Sequence, residues 1–157
     1  MIRFLNEFSD ILLNRKTCKD IAIPVSQIMS ASHDDFVLAA MKKMKQHNYT
    51  QIPIMVDKKV IGVFRDTSLF NFIIEYGSEM FDETTRFVDL EPYINKEGND
   101  GEVIRFYPHS LYIEELETEF KKEFDEGCRI GMVLLTQSGN DTEQLTGLIT
   151  PWDLIAS

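Results

Sequence analysis

The residues best spaced for chemistry lie near the C-terminus, in GLITPWDLI at 147–155. A β-rich run ends at Ile149 and a helix opens at Pro151, a helix-opening position for proline. Thr150 therefore stands at the N-cap and Asp153 in the first turn. A threonine hydroxyl there can serve the helix's free backbone N–H groups or a phosphate. A carboxylate one turn in can accept two hydrogen bonds from a ribose cis-diol. The same pair can equally act as a capping box and nothing more. Trp152, the single tryptophan, either flanks a cleft beside this pair or packs against another module.

No other constellation points to catalysis. His33, His47 and His109 form neither an H-x-x-x-H nor an H-E-x-x-H spacing, and the chain has no G-x-S-x-G elbow and no Walker-type loop. Asp34/Asp35 and Glu114/Glu115 are adjacent, and on a helix neighbours point about 100° apart, which is poor geometry for a shared acid–base site. Two cysteines, Cys18 and Cys128, are too few for a disulfide framework or a four-ligand zinc site. They read as reduced thiols of a cytoplasmic protein. Arg129 beside Cys128 favours the thiolate, but a structural thiol is the commoner case. The expectation is a binding module, not an enzyme, with no obligatory cofactor and no metal.

The elements that must position these residues follow from periodicity. The chain has 157 residues, 43% hydrophobic, enough for one domain or two half-size units sharing a core. Residues 1–75 carry 10 basic and 8 acidic side chains, and residues 76–157 carry 6 and 18, so the second half is near −12. That is the opposite of a nucleic-acid footprint, so neither DNA nor RNA is an expected partner. No 18-residue apolar run exists, and no membrane span is expected. Ile2, Leu5, Phe8, Ile11 and Leu12 give an amphipathic N-terminal helix without a cleavage site. Ser32 and Asp35 have the capping-box spacing and open a helix with Val37, Ala40, Met41 and Met44 on one face. QIPIMV and VIGVF read as a hairpin around 57–59, and a helix follows over 67–76. After an acidic, irregular stretch with a short helix in FVDLEPYI come a strand at EVIRFYP and a helix over 111–126. The inner face of that helix is expected at Ile113, Leu116, Phe120 and Phe124. RIGMVLLT and QLTGLIT are two more β runs joined by a longer loop.

The two halves therefore repeat. Val37, Ala40 and Met44 align with Ile113, Leu116 and Phe120 at an offset of 76, and Gly62 aligns with Gly147 at 85. The order strand, helix, hairpin, helix occurs twice, which predicts an α+β fold. Two pseudo-twofold-related β-α-β-β-α units pack through their sheets, with clefts where the halves meet.

GLITPWDLI resembles the closing signature of CBS domains, the regulatory units named after cystathionine β-synthase. Gly147, Leu148, Ile149, Thr150, Asp153 and Leu154 fill every place of that pattern. GVFRDTSLF in the first half fits at Gly62, Val63, Phe64 and Leu69, but has Arg65 in place of the hydroxyl residue and Ser68 in place of the acid. YTQIPIM at 49–55 resembles a second landmark, a hydroxyl residue three before the proline that opens the middle strand. Its second-half counterpart has Gly131. The resemblance implies an N-terminal helix and linker at 1–20, a first CBS unit at 21–77, a connector at 78–86 and a second unit at 87–157.

It further implies an adenine nucleotide (AMP, ATP, a cyclic dinucleotide or an adenosyl cofactor) held between Ile149, Thr150, Trp152 and Asp153 on one side and Pro24, Val25, Tyr49, Thr50, Ile52 and Pro53 on the other. The pseudo-symmetric cleft would use Arg65, Ser68, Cys128 and Arg129 and is expected to be degenerate. Its arginines suit phosphate groups or an acidic partner, or simply salt bridges with neighbouring acids. Helix 67–76 carries Leu69, Phe70, Phe72, Ile73 and Ile74, more apolar surface than one core needs, so a homodimer is expected. The ligand would bias the packing of the halves, to be read by an effector protein that the sequence does not identify. The alternative is a ligand-free CBS-like interaction scaffold.

Overall fold

The computed structural model describes residues 15–99 and 101–156. The helix expected over 2–14 lies outside them. The described chain opens with one helical turn, α1 (Cys18–Ile21), and a two-residue strand, β1 (Ile23–Pro24). Both dock on the second half. Cys18 is buried among Leu116, Ile130 and Val133, its N–H donates to Leu111 O at 2.7 Å, and β1 pairs antiparallel with the last strand.

The first unit follows. β2 (Ala31–Ser32) runs parallel to β3 (Gln51–Val56), and β3 pairs antiparallel with β4 (Lys59–Arg65). Between β2 and β3 lies helix α2 (Val37–His47), whose stripe Val37, Ala40 and Met44 is buried as its spacing requires. The β3–β4 turn is two residues, Asp57 and Lys58, at φ 52° and 67°. Positive φ at both positions is the type I′ geometry that matches strand twist. Helix α3 (Asp66–Tyr76) ends where Gly77 takes φ 88°. A 3-10 segment over Phe87–Tyr93 closes this core, with Phe87 edge-on to Phe64 at 5.1 Å.

The second unit repeats the plan. β6 (Glu102–Pro108) is parallel to β7 (Arg129–Thr136), with α4 (Ile113–Asp125) between them. β7 is antiparallel to β8 (Gly147–Ile149), and α5 (Pro151–Ala156) follows. A short β5 (Gly98–Asn99), absent from the expectation, extends this sheet on one edge and β1 on the other. Val133, Leu134 and Leu135 are fully buried, each worth about 2 kcal/mol of apolar transfer.

The repeat has a structural reason at its aligned glycines. A Cβ on Gly147 would press on Ala22 Cβ at 3.0 Å, and one on Gly62 would run into the Ile94 side chain and backbone. The segment leading into each half crosses the sheet of the other: Ile23 pairs with Leu148, and Val63 N–H donates to Asn95 O at 3.0 Å. Between the sheets, Val60 and Val63 meet Ile104, Met132, Leu134 and Leu148.

Two local expectations are corrected. The Ser32–Asp35 contact forms, with Ser32 N–H donating to Asp35 Oδ2 at 2.8 Å, but α2 starts only at Val37. Residues 33–36 are held by backbone bonds to 85–88, including Val37 N–H to Thr85 O at 2.9 Å, so the chain stays extended past the box. On α4, Phe124 is 74% exposed and Glu123 is buried instead. Glu123 is drawn in by Arg105 Nε at 2.8 Å. Adjacent helical residues point about 100° apart, so seating Glu123 turns Phe124 outward.

Candidate functional site

A cleft of about 660 Å³ opens between the halves. One wall comes from the β8–α5 junction and β7, the other from the lead-in segment 23–29 and the α2–β3 loop. It brings together Tyr49, Thr50 and Pro53 with Thr150, Trp152 and Asp153. Four other expected residues are not in the lining. Ile52 and Ile149 are fully buried behind the walls, because strand alternation sends every second side chain to the opposite face. Pro24 and Val25 are exposed and outside the lining, where Ile23, Gln27, Ile28 and Met29 stand instead.

At the β8–α5 junction the capping box is realised. Asp153 Oδ2 accepts from Thr150 N–H and from the Thr150 hydroxyl, both at 2.8 Å, and Asp153 N–H approaches Thr150 Oγ1 at 3.4 Å. Pro151 has no N–H to offer. The carboxylate is thereby fixed in place, and Oδ1 carries no hydrogen bond from the described residues.

The far end of the cleft holds a polar group that the sequence did not assemble. Gln51 Nε2 donates to Gly131 O at 3.1 Å and Gln51 Oε1 accepts from Arg65 Nε at 3.1 Å. Glu102 and Arg129 start neighbouring strands β6 and β7 in register and pair at 2.5 Å. A Cβ on Gly131 would lie 2.6 Å from Glu102 Cδ, so the Glu102 carboxyl occupies the space a side chain there would fill. Burial lowers the Arg65 pKa from its ordinary value, while Glu102 and Asp66 push it back up.

The placement of Arg129 is therefore corrected. Expected in the second cleft, it lines the large one, because its partner Glu102 faces the inter-unit space. The second cleft is about 130 Å³ and is lined by Arg65 and Ser68 together with Asn71, Tyr93 and Asn95. Cys128 lies in the lining of neither cleft. Gln51 was legible in principle: it is two residues before Pro53, hence on the same strand face. Glu102 had no such signal, since only the strand pairing brings it to Arg129. Among the described residues no group of three His, Cys, Asp or Glu side chains could hold a metal ion, and no helix is long and apolar enough to cross a membrane.

Comparisons with known proteins bear on the fold. By sequence, no curated protein gives a significant match. By structure, the chain is similar to CBSX2 in complex with AMP, at 14% identity and TM-score 0.62, covering 89% of this chain and 93% of that one. It is similar to CbpB in complex with c-di-AMP, at 11% identity and TM-score 0.63, covering 99% and 91%. It is also similar to the CBS domain of a bacterial CNNM/CorC family Mg2+ transporter in complex with ATP, at 15% identity and TM-score 0.59, covering 89% and 84%. At such identities the likeness speaks for the fold. A family model described as CBS domain matches residues 18–75, so the chain carries a CBS domain there, within a fold that CBS-domain structures share over most of its length.

Proposed function

We propose that this protein is a regulatory module that binds an adenine nucleotide between two CBS units and signals through changed contacts with a second copy or an effector protein. The observation that carries this reading is the large cleft, where Thr150 and Asp153 face Tyr49, Thr50 and Pro53. Its volume falls within the roughly 300–1,000 Å³ usual for small-molecule sites, and the second cleft falls below that range. Of the two clefts between the units, the large one is the expected nucleotide site. In this reading the free oxygen of Asp153 accepts from the ribose hydroxyls, and Tyr49 and Trp152 offer ring faces to the base. The ligand bridges both units and shifts their packing only by its differential affinity for the two arrangements. The AMP, ATP and c-di-AMP in similar folds support the ligand class. Catalysis has no part in this reading.

The test is a thermal-shift panel of adenine and guanine nucleotides, cyclic dinucleotides and adenosyl cofactors, read on wild type and Asp153→Ala. A binder at 100 times its dissociation constant adds about 2.7 kcal/mol, a shift of several degrees. Asp153→Ala lowers the unliganded melt through its lost cap, by about 1 kcal/mol, and in addition loses the ligand increment. A flat panel on folded protein replaces this reading with the ligand-free scaffold.

A further inference from the structure

Resting on the nucleotide reading of the large cleft, the charges of its wall narrow the ligand. We infer that the cleft selects adenine ligands poor in phosphate charge, nucleosides before their polyphosphates. Its charged lining is Glu102, Asp153 and Arg129. The Arg129 guanidinium is paired with Glu102 at 2.5 Å, so an incoming phosphate must compete with a carboxylate already in place. Arg65 lies behind this wall, bonded to Gln51 and lining the small cleft.

At the start of α5 few backbone donors are left beside Trp152 N–H. The amides of Thr150 and Asp153 are committed within the capping box, and Pro151 has none. Asn48, at the carbonyl end of α2, also lines the cleft, and a helix C-terminus repels anions. Gly131 makes the arrangement possible. With no side chain there, the Glu102 carboxyl lies where a Cβ would otherwise press on it. The carboxylate thus holds the cleft's arginine before any ligand arrives.

The test is isothermal titration of the full chain with adenosine, AMP, ADP and ATP at fixed salt. Affinity is expected to fall along the series, with ATP at least about tenfold weaker than adenosine, since unmatched like charge is costly at a partly buried site. Glu102→Gln keeps the shape and frees Arg129, so it should recover most of that loss. Gly131→Ala should do the same by displacing the carboxyl, because the atoms nearest the added methyl are Cγ, Cδ and Oε1 of the flexible Glu102 side chain. ATP binding as tightly as adenosine, or an unchanged series in both variants, overturns the inference and leaves the nucleotide reading intact. No binding of any of the four overturns the inference as well, and the thermal-shift panel then decides the nucleotide reading by itself.

Discussion

The Asp153 carboxylate shows how one side chain serves fold and site together. Its Oδ2 holds the start of α5 through Thr150, and that restraint is what would aim its other oxygen. Sequence reasoning set capping against ligand binding at this residue. The structure contains the capping contacts, and in the proposed function they would pre-position a ligand acceptor instead of competing with one. Cys18 belongs to the same scale. Burial, reinforced by Glu115, pushes its thiol up from 9.0 to about 11. The folded state thus keeps a proton that the unfolded chain gives up from pH 9 onward. This contribution is fully present below pH 9 and is lost as pH rises to 11, worth on the order of 2 kcal/mol. Urea unfolding at pH 8, 9.5 and 10.5 should show wild type losing more stability than Cys18→Ala. Equal losses would exclude the thiol as the cause. Tyr107, raised to about 12 by burial and Glu119, adds a later loss common to both proteins.

At the scale of elements, periodicity located α2, the β3–β4 hairpin, α3, α4 and the two long strands of the second unit, because each buries a stripe or an alternating face. It was less informative where a backbone partner decides the boundary, as at Val37, or where a polar contact displaces an apolar one, as at Glu123 and Phe124. The Asp57–Lys58 turn is a further case: its left-handed φ values are demanded by the twist of the paired strands, although neither residue is glycine. Lys58→Gly should relieve that strain and raise stability by about 0.5–1 kcal/mol. The melting temperature should then rise by roughly 2 °C. A lower melt would show that the lysine side chain contributes more than its backbone costs.

Across the whole molecule as described, the most exposed large apolar side chains lie on helical segments. Phe70 and Ile74 of α3 are 62% and 67% exposed, and Trp152 and Ile155 of α5 are 78% and 77%. Phe72 on the inner side of α3 completes the first core, so the outer residues are surplus to folding. We propose that Phe70, Ile74 and Ile155 carry the homodimer contact. Light scattering at micromolar concentration should give twice the 18.2 kDa chain mass. The double change Phe70→Glu, Ile74→Glu should give a monomer that still unfolds in one cooperative transition, at a melt that no longer depends on protein concentration. A wild-type monomer would remove the dimer from the mechanism.

Composition, the 76- and 85-residue offsets and the signature at 147–155 together determined the class of the fold, its twofold repetition and the Thr150–Asp153 end of the cleft. Those features are written in local spacing, where side-chain period and helix-end chemistry act over a few residues. What the tertiary structure alone decided is the opposite end. Glu102 meets Arg129 because β6 and β7 pair in register, Gln51 reaches Gly131 because the units face each other, and β1 joins the far sheet because the glycine at 147 lets it cross. Each depends on partners between 27 and 125 positions away in the chain, a separation that neither composition nor periodicity encodes.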